Sequence, residues 1–285
     1  MVSPGTTKVA EGEDFGRAGR NLGAAILVGL GLLLLIAVSL AFRLEVFVAL
    51  VALVSLVGIW ELAKGFATRN IHIPLAPLWV GAIGMHASAW VGGPDALLIA
   101  LLLTVATVFV WRVLDGGGRA AARDSAAGAF AAAYVPFLAA FAVLIVRHEQ
   151  HGILLVVTYI LMVVGNDTGG YIAGVLFGRH PIAPAISPKK SWEGAAGSLV
   201  LSVAVAYVML VVILDAQWWW ALALGVLTVI TATTGDLAES LIKRDLGLKD
   251  FGSILPGHGG ILDRIDSQLV AAPACYLVFS LAVPA

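Results

Sequence analysis

Charge is scarce in this chain of 285 residues, and cysteine nearly absent. Only 12% of residues are Asp, Glu, Lys or Arg, against 60% hydrophobic. That balance, with a mean hydropathy of +0.97, excludes an ordinary water-soluble core. The single cysteine, Cys275, excludes an internal disulfide and any multi-cysteine metal site, and reads as a small packing residue. The sequence has no G-x-x-x-x-G-K-[ST] phosphate loop, no H-E-x-x-H, no C-x-x-C and no G-x-S-x-G. The histidines outside the polar block described below (His72, His86, His148, His151 and His180) lack ligand spacing. A net charge of −1 selects no partner by itself, and no nucleic acid is expected among them.

What the chain has in abundance is apolar runs. Nine segments of roughly membrane-crossing length recur: Gly23–Phe42, Val46–Trp60, Pro74–Val91, Ala96–Val110, Ala126–Val146, Ile153–Val175, Ala195–Leu214, Trp218–Thr234 and Leu269–Val283. The expected fold is all-α, a polytopic integral membrane protein of about nine transmembrane helices. The first run is too long for a signal-peptide core, and no small-residue cleavage site follows it. If the first helix runs outward from the cytosol, 15 of the 17 basic residues fall on the cytosolic side and only Arg43 and Arg147 outside. That bias predicts a cytosolic N-terminus. Trp218, Trp219 and Trp220 then sit at the outer interface, where indoles prefer to lie.

Polarity divides the chain. Residues 1–20 read as a disordered cytosolic tail, 21–150 as a transmembrane scaffold with few ionisable residues in its apolar runs, and 151–285 as the catalytic region. That second region carries three polar constellations at its cytosolic side. In GNDTGGY, Asn166 and Asp167 end an apolar run, where an ionisable group is a functional candidate by default. In SPKKSWEG, Ser187, Lys189, Lys190 and Ser191 gather ammonium and hydroxyl groups suited to a triphosphate, with Ser191 placed to cap the next helix. The third, Gly235–Asp266, is the densest run of ionisable residues in the chain.

In that block Asp236 and Ser240 share a helix face, as do Glu239 and Lys243, the latter pair reading as a surface ion pair. His258 stands in the glycine turn PGHGG, and Asp263 and Asp266 project together from the next helix. Carboxylates converging from two helices suit a hard divalent cation, with Lys243, Arg244, Lys249 and Arg264 available to phosphate oxygens.

Ser240–Asp266 also resembles the signature of the phosphatidate cytidylyltransferases, or CDP-diacylglycerol synthases. The match runs through Ser240, Lys243, Arg244, Lys249, Asp250, Gly252, Pro256, His258, Gly259, Gly260, Asp263, Arg264 and Asp266. Asp167 with its glycines and SPKKSWEG resemble upstream family segments, and one departure is Gly170, where many relatives carry Ala. The resemblance implies transfer of CMP from CTP to phosphatidic acid at the inner (plasma) membrane, in a homodimer. It implies Mg²⁺ held by Asp236, Asp263 and Asp266 near Ser240, with a monovalent K⁺ as a second cation. By the same resemblance Asp236, Asp263, Lys243 and His258 are the catalytic set. Asn166, Asp167, Ser187, Lys189, Lys190, Ser191, Arg244, Lys249, Asp250 and Arg264 are expected to bind substrate. Two alternatives stand beside this reading. One is a CTP-dependent enzyme acting on another lipid phosphate or lipid alcohol. The other is a cation-coupled transporter, disfavoured because the acids cluster on one side and no internal repeat is visible.

Overall fold

A computed structural model of the chain describes residues 22–255 and 259–283. The expected tail and His258 lie outside the described residues. The order is α1 (Leu22–Phe42), α2 (Leu44–Ala67), α3 (Leu75–Leu114), α4 (Ala121–Ala132), α5 (Leu138–Val146), α6 (Gly152–Phe177), β1 (Pro181–Ala183), β2 (Ser187–Ser191), α7 (Trp192–Ala206), α8 (Trp218–Leu246) and α9 (Leu262–Ala282). A π-helical turn, Ala133–Phe137, joins α4 to α5, and another, Tyr207–Ile213, extends α7. Pro136, which cannot donate a helical hydrogen bond, sits in the first of these.

Among the described residues seven helices are long and apolar enough to cross a membrane, and Leu27–Phe42 of α1 is apolar but shorter. The difference from nine segments has a physical source in α3. Gly93 leaves helical geometry, with φ 75° and ψ −159°, and Pro94 follows it. A side chain added at Gly81 would run into Thr104. In a continuous helix those two positions would stand about 35 Å apart. The helix is therefore a hairpin, and the segments expected at Pro74–Val91 and Ala96–Val110 are its two arms.

Two buried clusters hold the bundle. One joins Leu62, Leu78, Val108 and Val135 to Leu246, Phe251 and Leu262. The other joins Val146, Leu155, Met162 and Leu224 to Cys275 and Phe279. Helix α9 contributes to both, so the two halves of the chain share a core. Leucines and valines such as Leu102, Leu103, Val113 and Val200 point outward and exposed, as a lipid-facing surface requires.

The SPKKS segment is β2 of a small antiparallel hairpin, with Pro181 opposite Ser191 and Ala183 opposite Ser187. Helices α6 and α7 then meet along glycines. A Cβ on Gly169 would strike the backbone of Gly197, and one on Gly170 would strike the Ser198 hydroxyl. Close packing here brings Asn166 and Asp167 beside the hairpin.

Candidate active site

The site forms where the C-terminal ends of α6 and α8 meet the N-terminal ends of α7 and α9. Along α8, Asp236, Glu239, Ser240 and Lys243 recur at helical spacing on one face. Gly235 lets α9 approach, since a Cβ there would strike the backbone of Asp266 and Ser267. The approach carries Asp266 to α8. One oxygen each from Asp236, Glu239 and Asp266 then lies within 4.8 Å of the others. Glu239 is buried, and its Oε1 accepts no hydrogen bond from the described residues. Three hard oxygen donors this close can hold a metal ion.

Basic groups border the acids. Lys190 reaches from β2 to Asp236 Oδ2 at 2.5 Å. Lys243 bridges Glu239 and Asp263, its Nζ 3.0 Å from Asp263 Oδ1. The Ser240 hydroxyl donates to Asp236 Oδ1 at 3.3 Å. Next to Asp236 opens a cleft of about 340 Å³ whose lining includes Asn166, Asp167, Ser187, Lys189, Lys190 and Ser191. Two of the constellations legible in sequence thus share one cavity with an acid of the third. Asn166 donates from Nδ2 to Asp167 Oδ1 at 3.0 Å, and its own Oδ1 is buried without a partner among the described residues. Ser191 does cap α7, accepting the Gly194 N–H at 3.1 Å.

Other expected residues stand elsewhere. Asp263, read from sequence as a metal ligand, lies beside the three-acid set: it accepts N–H groups of Gly260 at 2.8 Å and Phe251 at 3.0 Å as well as pairing with Lys243. Its oxygens organise the loop before α9. A Cβ on Gly259, whose φ is +85°, would meet both Asp263 and Asp250, so Asp250 belongs to this loop rather than to the cleft. Arg264 is half-buried, its Nε without a partner among the described residues, whereas Arg244 and Lys249 are exposed at the end of α8 and beyond it.

Sequence reasoning missed two residues. Glu239 was read as a surface group but is 1% exposed. Glu61, within an apolar run of α2, is 0% exposed and accepts the N–H groups of Ile261 and Leu262 at 3.1 and 2.8 Å. The signal for the first was its place in the Asp236–Lys243 stripe. For the second it was a carboxylate inside an apolar segment.

A lysine-lined cleft against a carboxylate cluster, at one end of a membrane bundle, describes a membrane enzyme that handles phosphate groups, and comparison with known proteins gives its class. The cytidylyltransferase family model matches residues 23–282, and the chain belongs to that family. It is a nucleotidyltransferase. Its relatives are more particular. The chain is 38% identical over 277 residues to the phosphatidate cytidylyltransferase of Mycobacterium bovis, covering 93% of this chain and 90% of the relative. It is 38% identical to that of Mycobacterium tuberculosis H37Rv, covering 93% and 84%, and 37% identical to that of Mycobacterium leprae, covering 93% and 89%. The likeness includes the first half, which sequence motifs alone had left without a family signal.

Proposed function

We propose that this chain transfers CMP from CTP to phosphatidic acid, giving CDP-diacylglycerol and pyrophosphate. The observation that carries the reading is the junction of the Asp236, Glu239 and Asp266 oxygens with the Lys189 and Lys190 cleft. The relatives named phosphatidate cytidylyltransferase supply the acceptor.

In the reaction an oxygen of the phosphatidate phosphate attacks the α-phosphorus of CTP. A new P–O bond forms as the bond to the β-phosphate's bridging oxygen breaks, and pyrophosphate leaves with that electron pair. A phosphate monoester is largely ionised near neutral pH, so positioning and charge neutralisation matter more than a strong base. Lys189 and Lys190 hold the triphosphate in the cleft. Asn166, Asp167, Ser187 and Ser191 shape its wall. Lys243 keeps Glu239 and Asp263 apart in charge and in place, and Arg264 offers an unsatisfied guanidinium donor to phosphate. His258, of the PGHGG segment, positions a phosphate. Asp236, Glu239 and Asp266 fit Mg²⁺, with Asp263 bordering the set. When bound, the ion would neutralise phosphate charge and orient the nucleotide.

The site end of the bundle carries Lys64, Arg69, Arg123, Lys190 and Arg264. Arg69 donates to the Asp245 carbonyl and Arg123 to the Asn70 carbonyl, tying the first-half loops to this end. With the positive-inside bias this favours a cytosolic site and N-terminus in the plasma (inner) membrane. Lipid then enters from the bilayer and CTP from water. The family resemblance further suggests a homodimer and a K⁺ beside Mg²⁺.

The test is pyrophosphate release from CTP by purified protein in detergent, with phosphatidic acid or another lipid phosphate or lipid alcohol as acceptor. CDP-diacylglycerol formed with phosphatidate is expected. Reaction only with a different lipid would replace the acceptor, and cation uptake without CTP chemistry would replace the enzyme reading.

A further inference from the structure

We propose that Glu61, in the half of the chain that carries none of the signature, is a positioning residue for the active-site end of α9. The inference rests on the cytidylyltransfer reading, and its geometry is direct. Glu61 Oε1 accepts the Ile261 N–H at 3.1 Å and Oε2 the Leu262 N–H at 2.8 Å. These amides open α9, where the first turn has no intrahelical carbonyl to satisfy its donors. A carboxylate placed there satisfies two of them and complements the positive end of the helix dipole. Caps of this kind usually come from the residue next to the helix. This one comes from 200 residues upstream.

The surrounding chain is built to admit it. A Cβ on Gly260 would lie 2.6 Å from both Glu61 oxygens, and one on Gly252 would overlap Oε1. Glycine at both positions makes room for the carboxyl group. Its neighbours on α2, Ile59 and Leu62, are fully buried and apolar, an environment in which an acid is costly unless it is well bonded. The two hydrogen bonds fix the height and rotation of α9 against α2. The next residue of α9 is Asp263, paired with Lys243, and one turn further on is Asp266, which reaches Asp236 and Glu239. Glu61 therefore acts on the reaction through the placement of those two acids, without touching substrate.

Glu61→Gln keeps the shape but presents an amide NH₂ to one of two backbone donors. A displacement of about 1 Å at a reacting centre costs on the order of 10²-fold in rate. For Glu61→Gln in detergent we expect kcat to fall about 30-fold, with KM for CTP and phosphatidate within about threefold of wild type. Glu61→Asp, which keeps the charge but falls short by one methylene, should lie between. Two controls run in parallel. Lys64→Ala changes an exposed residue on the same helix, which lies over the Trp60 ring, and should leave kcat within about threefold. Leu62→Ala opens a cavity in the adjoining core, so it lowers the melting temperature without touching the cap.

A folded Glu61→Gln with kcat within about threefold of wild type overturns the proposal. So does a Leu62→Ala variant that loses kcat to the same degree at the same melting temperature, because the effect would then be general softening. Should Glu61→Gln fail to fold, Gly252→Ala crowds the same carboxyl from the loop side and must show the same kcat loss. Unchanged kcat there overturns the proposal equally. The underlying reading fails differently: wild type itself would then make no CDP-diacylglycerol. In that case amide hydrogen exchange at Ile261 and Leu262, faster in Glu61→Gln than in wild type, still reads the cap, and unchanged exchange removes it.

Discussion

Glu239→Gln separates a surface ion pair from a cation site by magnitude. On an exposed helix face a Glu and Lys four apart contribute about 0.3–0.5 kcal/mol, and the substitution would be nearly silent. The structure gives a larger figure. One oxygen of Glu239 lies within 4.8 Å of one each from Asp236 and Asp266. At an effective dielectric of about 20, two unit charges at that distance repel by about 3.5 kcal/mol. Three ionised carboxylates would then store about 10 kcal/mol of mutual repulsion, offset in part by Lys190 and Lys243. A divalent cation reverses the sign. Glutamine removes two of the three repulsions, the attraction to Lys243 and one attraction to the ion. Without metal the lost repulsions and the lost attraction largely cancel, and the variant should melt close to the wild-type temperature. With Mg²⁺ the wild type should rise, and the variant by less than half as much. Turnover should fall about 100-fold or more, equivalent to about 2.7 kcal/mol of transition-state stabilisation. The assay is thermal melting with Mg²⁺ and with chelator, beside pyrophosphate release. An equal Mg²⁺-dependent rise with turnover within about threefold of wild type would refute the reasoning.

Other substitutions probe the rest of the site. Asp263→Asn breaks a buried pair with Lys243 and opposes the N–H groups of Gly260 and Phe251 with an amide. Removing one partner of such a pair costs about 3–5 kcal/mol, so the melting temperature should drop and turnover be abolished; near-normal turnover would take Asp263 out of the site. Lys190→Ala removes the cation 2.5 Å from Asp236 in the cleft. It should raise KM for CTP about tenfold with less effect on KM for phosphatidate, and an unchanged KM for CTP would move the nucleotide elsewhere.

Much of this arrangement could be read from residue spacing. Asp236 and Ser240 do share a face, Ser191 does cap α7, and the Asn166, Lys189 and Lys190 segments meet in one cleft. Helical periodicity and capping chemistry are local, so they show in the sequence. Burial is not local. The spacing that pairs Glu239 with Lys243 is the same on a wet surface as against α9, and only the approach permitted by Gly235 decides between them. The two arms of α3 were legible for the same local reason: a Gly-Pro break between two apolar runs reads as a turn between two segments, and the contact of Gly81 with Thr104 shows that the arms fold back on each other. Glu61 meets its partners across 200 residues, beyond any motif window. The β hairpin is too short, and too rich in lysine and proline, to carry a strand pattern.

The central claim is metal-dependent cytidylyl transfer to phosphatidate, and one experiment meets it directly. Purified protein in detergent is given CTP and phosphatidic acid, first with Mg²⁺ and then with the metal chelated, and both products are followed. The account predicts CDP-diacylglycerol and pyrophosphate in equal amounts with Mg²⁺, and loss of both on chelation. Folded protein that forms neither product in Mg²⁺, or forms both equally well without metal, would contradict it.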